Sequence, residues 1–181
     1  AHSRGTAVLT DTIRELHIEL RSTTDSQQAL KLGTVILAAA DIDLDVAISR
    51  NATERIGRAA ERSALYIHDK DGALGCSQWL FGGMRRLGNA DPTIFSEEEL
   101  ETLRRSVRFQ LIDARVKKAG GFGHAYFHAN PAVSSDVVLL MRYGLPPGEQ
   151  HGRPLGVSDA GLWAIDDEYP GTDWNPTVTT G

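Results

Sequence analysis

One pattern recurs three times in this chain and restricts its fold more than any other feature: an apolar β-prone run, a polar or glycine-containing turn, then a helical stretch. The first run is Thr34-Val35-Ile36-Leu37-Ala38, followed by AADIDLDVA and a helical pattern to about Arg62. The second, Ala64-Leu65-Tyr66-Ile67-His68, passes through DKDGAL into a helix through Leu80. The third, Val107-Arg108-Phe109-Gln110-Leu111-Ile112, precedes a long glycine-containing loop and the helix PAVSSDVVLLMRYG. Strands separated by helices pair in parallel, because the crossover helix returns the chain to the starting edge of the sheet. Both faces of such a sheet are covered, which explains runs that are continuously apolar rather than alternating. The expected fold is therefore a three-layer α/β/α sandwich with about three parallel strands.

Local signals set several boundaries. Asn130 suits an N-cap, Pro131 the first helical position and Gly144 the stop, so a helix is expected between them. Val8, Leu9, Ile13, Leu16 and Leu20 recur at helical spacing and mark an amphipathic helix from Gly5 to Leu20, with a polar stretch after it. Ser96-Glu97-Glu98-Glu99 reads as a capping box opening a helix to about Arg105. Residues 1–144 form the α/β unit in this reading. The Pro- and Gly-rich segment 145–181 is expected to be an irregular extension, with Trp163 and Trp174 as packing anchors.

Composition excludes some functions. With 181 residues the chain is long enough for one substantial core, and its net charge of −5 argues against a basic nucleic-acid-binding face. Lysine and arginine occur as pairs (Arg85-Arg86, Arg104-Arg105, Lys117-Lys118) rather than as a stripe. The single cysteine, Cys76, forbids an internal disulfide. No apolar run in this segment approaches membrane-spanning length.

Functional residues of open α/β sheets gather just past the carboxyl ends of the strands. Asp41, Asp43 and Asp45 follow the first run, Asp69 and Asp71 the second, and His124 and His128 lie in the loop after the third. At the very start, Ala1-His2-Ser3-Arg4-Gly5 has the small–x–Ser–x–Gly spacing of a nucleophile elbow. There a strand turns sharply into a helix, and bulky neighbours of the serine would collide with the adjoining elements. A hydrolytic triad needs a hydroxyl nucleophile, an imidazole to take its proton and a carboxylate to orient the imidazole. The chain order Ser, Asp, His is the one α/β-hydrolases use. Competing readings are weaker. DIDLD has Val46 where a calcium loop needs glycine, and GGFG lacks the Lys-Ser/Thr of a phosphate loop. No cluster has zinc-ligand spacing, so no cofactor is expected. His17, His68 and His151 read as structural or exposed, and Asp41 and His2 as residues lining the site.

Four stretches in register, AHSRG, LAAADIDLDVA, DGALGCSQWLFGG and GHAYF, resemble the carboxyl-terminal half of bacterial α/β-hydrolases grouped as a family of unknown function. The resemblance covers roughly residues 1 to 144. It implies Ser3 as nucleophile, Asp71 as the acid and His124 as the base, with the Arg4 backbone N–H as one oxyanion donor. Asp69 and His128 are the nearest substitutes. It also implies that the fold's first strands lie upstream of Ala1, together with the loop that supplies the second donor. Residues 1–181 alone are then expected to turn over poorly, since losing one donor costs on the order of 100- to 1000-fold. The implied activity is hydrolysis of an ester or similar acyl bond in a small molecule. The alternative is a hydrolase-like binding or scaffold protein that does not catalyse.

Overall fold

The computed structural model describes residues 1–20, 26–54, 56–80, 83, 85–89, 96–98, 101, 108–117 and 120–170. Its sheet has five strands: β1 (Leu32–Ala38), β2 (Ala60–Ile67), β3 (Phe109–Ala114), β4 (Gly156–Val157) and β5 (Trp163–Ile165). They lie in the order β1-β2-β3-β5-β4. β1, β2, β3 and β5 run parallel, and β4 closes the edge antiparallel to β5. The helices are α1 (Arg4–Leu20), α2 (Ser26–Leu30), α3 (Leu44–Glu54), α4 (Gly72–Leu80), α5 (Tyr126–Ala129) and α6 (Pro131–Tyr143). The α/β sandwich expected from the sequence is what forms.

The two-residue period of the strands sorts the core into two halves. Ala64, Tyr66, Ile112 and Ala114 point to one face and pack with Tyr126 of α5 and with Val133 and Leu140 of α6. Leu65, Ile67 and Leu111 point to the other, where Ala7 of α1 and Ala47 of α3 cover them. The third helix of the sequence reading, α6, has its expected limits. The Asn130 side chain accepts hydrogen bonds from the N–H groups of Ala132 and Val133, and Gly144 ends the helix in the left-handed region at φ 63°.

Several expectations need correction. The helix read to about Arg62 stops at Glu54, because the chain must be extended by Ala60 to pair with Leu32 of β1. The third strand is Phe109–Ala114, two residues later than read, set by its register Ser63 to Phe109 on β2. The short helix α2 has no counterpart in the sequence reading. In α1 the buried residues are Thr6, Ile13 and His17, whereas Val8 is 68% exposed. The largest change concerns the segment after 145, which within the described residues is ordered and supplies β4 and β5. The helix expected from Ser96 to about Arg105 lies mostly outside the described residues, although Glu97, Glu98 and Glu101 are helical, and Trp174 lies outside them altogether. Among the described residues no helix is long and apolar enough to cross a membrane.

Arg153 explains why that late segment is fixed. It is fully buried and its guanidinium donates to both carboxylate oxygens of Asp136 on α6, at 2.7 and 2.8 Å. It also donates to the Gln110 side chain on β3, the Leu145 carbonyl and the Tyr66 hydroxyl on β2. The Tyr66 and Tyr169 hydroxyls in turn donate to Asp136. Burial raises the pKa of both tyrosines, with the Asp136 charge adding to it, so they remain donors throughout the physiological range. Breaking a buried pair leaves its partner charged and unmatched. Arg153→Met is therefore expected to lower the unfolding free energy by about 3–5 kcal/mol in urea denaturation. A loss under about 1 kcal/mol would remove this network from the account of the fold.

Candidate active site

The site is assembled where β1 and β2 end. His2 pairs with Ala38 as a short parallel bridge beside β1. The Ser3 N–H donates to the Ala38 carbonyl and the Ala38 N–H to the Ala1 carbonyl. One residue later the chain is helical. Between strand and helix Ser3 sits at φ 53°, in the left-handed region that costs a non-glycine residue about 1–2 kcal/mol. Its carbonyl accepts from both the N–H and the hydroxyl of Thr6, which hold the turn. The chain thus turns sharply at Ser3, from the bridge beside β1 into α1.

Asp71 follows β2 and is 1% exposed. Its Oδ1 accepts from the Leu74 N–H and so caps α4. Both of its oxygens also lie within hydrogen-bond reach of His124 Nδ1, at 2.8 and 3.0 Å. A carboxylate only accepts, so Nδ1 carries a proton; in the neutral ring, the Nε2 lone pair is then available. Asp69, the nearest substitute, is exposed. Asp71 is the carboxylate that meets the imidazole. His128 is also exposed, and its ring meets that of Phe127 edge-on.

Glycines bring His124 there. Gly123 has φ 76°, and a Cβ on it would stand 2.5 Å from the Lys70 carbonyl oxygen. The loop therefore lies directly on the turn that carries Asp71. Beyond it, Tyr126 anchors α5 by accepting from the Ala39 N–H and donating to the Tyr66 carbonyl, which ties it to the ends of β1 and β2. Sequence reasoning did not single out Tyr126, although its place in GHAYF was the available signal. His68, read as structural or exposed, is buried, with Nδ1 2.7 Å from the Ala114 carbonyl.

The remaining site residues form two groups. Asp41, 5% exposed, accepts from the Ser77 hydroxyl at 3.0 Å, pairs with Arg86 at 3.3 Å and meets Arg4 at 3.5 Å. It thereby links the start of α1 to α4. Asp43 instead caps α3 through the Val46 N–H. His2 lies against His124, its Nε2 3.0 Å from the His124 carbonyl oxygen. Among the described residues no hydrogen bond joins the Ser3 hydroxyl to the His124 ring, and no group of three or more His, Cys, Asp or Glu could hold a metal ion.

Two consequences are measurable. Gly123→Ala is expected to cost about 1–2 kcal/mol of stability and to speed amide exchange across residues 120–128, since both the backbone and the Lys70 carbonyl must shift. Burial pushes the His2 pKa below its ordinary 6.5. The native state then binds fewer protons than the unfolded chain, and stability drops as pH falls from 6.5 toward the lowered value. The Tm of wild type should fall more between pH 7.5 and 5 than that of His2→Gln, whose side chain does not titrate; equal falls would contradict this.

The sequence matches the family described as alpha/beta hydrolase of unknown function (DUF900) over residues 1–142. No curated protein and no solved structure matches the chain significantly. A match over most of the chain, joined to a largely parallel sheet with helices on both faces, establishes that this protein belongs to that α/β-hydrolase family.

Proposed function

We propose that this protein is a serine hydrolase that cleaves an ester or similar acyl bond in a small molecule. The observation that carries the reading is the contact between buried Asp71 and His124 Nδ1, formed across residues 53 positions apart in the chain. A carboxylate bonded there fixes the imidazole tautomer that can accept a proton at Nε2, and it stabilises the imidazolium that results. The left-handed corner at Ser3 supports the same reading, since a half-buried serine at the apex of such a turn can present its hydroxyl to a carbonyl carbon.

In this mechanism Ser3 Oγ attacks the acyl carbon while its proton passes to His124 Nε2. The carbonyl oxygen becomes an oxyanion held by the Arg4 N–H at the amino-terminal end of α1, where the helix dipole also favours negative charge. Collapse breaks the acyl bond, and His124 returns the proton to the departing oxygen. Water, deprotonated by the same imidazole, then releases the acid and restores Ser3. Asp41 keeps Arg4 and Arg86 beside the corner through its ion pairs.

The missing hydrogen bond between Ser3 and His124 favours a second reading, a hydrolase-like binding or scaffold protein. Such bonds are often long before substrate binds, which keeps the first reading ahead. A fluorophosphonate probe separates them. Labelling of wild type that disappears in Ser3→Ala, with Asp71→Asn slowing ester hydrolysis by about 10,000-fold, is the enzyme's signature. A folded protein that the probe does not label is the scaffold's.

A further inference from the structure

We propose that His2, the residue before Ser3, is a positioning residue that locks the main chain and ring of His124 onto the nucleophile corner; this rests on the hydrolytic reading above. Asp71 grips His124 at one ring nitrogen alone. The loop that carries His124 includes Gly120 and Gly123, both at positive φ, and glycines leave a backbone free to move unless something else holds it. His2 supplies that hold at the His124 carbonyl and ring.

Three contacts define the arrangement. His2 Nε2 is 3.0 Å from the His124 carbonyl oxygen, and since a carbonyl only accepts, that nitrogen carries the proton. The His2 ring lies 4.5 Å from the His124 ring, tilted by 49°. Its ring centroid is 4.4 Å from that of Phe127 on α5. His2 is thus wedged between the base and the helix that follows it, while its own backbone is bridged to Ala38 of β1. Because His2 and Ser3 are adjacent in the chain, one hydrogen bond and one ring contact set the distance between nucleophile and base. Misplacing reacting groups by about 1 Å can cost 100-fold in rate.

The charge state suits the task. The titratable groups around His2 are His124, His128 and Asp71. Burial lowers the His2 pKa, and the two histidines oppose its charge as well, whereas the His124 carbonyl and Asp71 work the other way. A neutral His2 donates its hydrogen bond without placing a second cation beside His124 when that ring takes up the Ser3 proton.

Three substitutions test the idea. His2→Ala removes donor and ring, His2→Phe keeps a ring without the donor, and His2→Gln keeps a donor amide without the ring. Circular dichroism establishes that each is folded. For hydrolysis of a p-nitrophenyl ester, His2→Ala is expected to lower kcat by roughly 10- to 100-fold with KM within about twofold, and His2→Gln to recover most of the loss. His2→Phe should stay impaired. Independently of turnover, amide exchange across residues 120–128 should quicken about tenfold in His2→Ala made in a Ser3→Ala background, and return toward normal in His2→Gln. Unchanged exchange in a folded His2→Ala protein would overturn the proposal, as would a loss that appears entirely in KM. Were Ser3→Ala to leave hydrolysis intact, the hydrolytic reading would fail by itself, while the exchange measurement still decides the role of His2.

Discussion

Placing one arginine in the interior constrains much of this molecule. Arg153 brings a permanent charge among apolar side chains, a loss of hydration that Coulomb attraction alone does not offset. It is tolerated because each of its N–H groups finds an acceptor: two carboxylate oxygens of Asp136, the Gln110 side chain, the Leu145 carbonyl and the Tyr66 hydroxyl. Those partners come from α6, β3, β2 and the segment after α6, so satisfying one side chain fixes four parts of the chain at once. Although burial opposes its charge, bonding to Asp136 holds the Arg153 pKa above its ordinary value, and the pair remains ionised.

Tyr66 carries this constraint to the candidate active site. Its hydroxyl belongs to the Arg153–Asp136 network, and its carbonyl accepts from the Tyr126 hydroxyl. Tyr126 stands two residues beyond His124, on the short helix that leads into α6. α6 is therefore held at Asp136 and α5 at Tyr126, which fixes the carboxyl-terminal end of the loop that carries His124. Asp71 completes the arrangement from the other side. A carboxylate 1% exposed must keep its hydrogen bonds, and Asp71 meets that demand with the helix N–H of Leu74 and the ring N–H of His124. Fold and site thus share one requirement, that no buried charge be left unmatched.

Part of the site was legible in the sequence because it depends on local geometry. Serine at a strand-to-helix corner needs small neighbours, and Asp71 before GAL has the placement of a helix cap, so both residues announce themselves within a few positions. The choice between Asp69 and Asp71 was different. Both follow the same strand, and which one turns inward depends on the backbone path around Lys70, which the Gly123 loop packs against. Likewise nothing local distinguishes Arg153 from a surface arginine in a Pro- and Gly-rich stretch. Its role appears once Asp136, seventeen residues earlier, is beside it. The short strands β4 and β5 lacked a sequence signal for the same reason: two or three residues cannot show a period, and pairing of β5 with β3, and of β4 with β5, is what makes them strands.

By itself the sequence determined the alternation of strands and helices, and with it a parallel sheet buried on both faces. It also determined the cap and stop of α6 and the corner at Ser3. These follow from side-chain period, helix-end chemistry and backbone sterics, which act over a handful of neighbouring residues. Tertiary structure decided which carboxylate meets His124, that His2 packs against that ring, and that the segment after residue 145 extends the sheet. Each of those outcomes depends on desolvating polar groups that are distant in the chain, and a buried charge or donor acquires its partner only when the whole chain has folded around it.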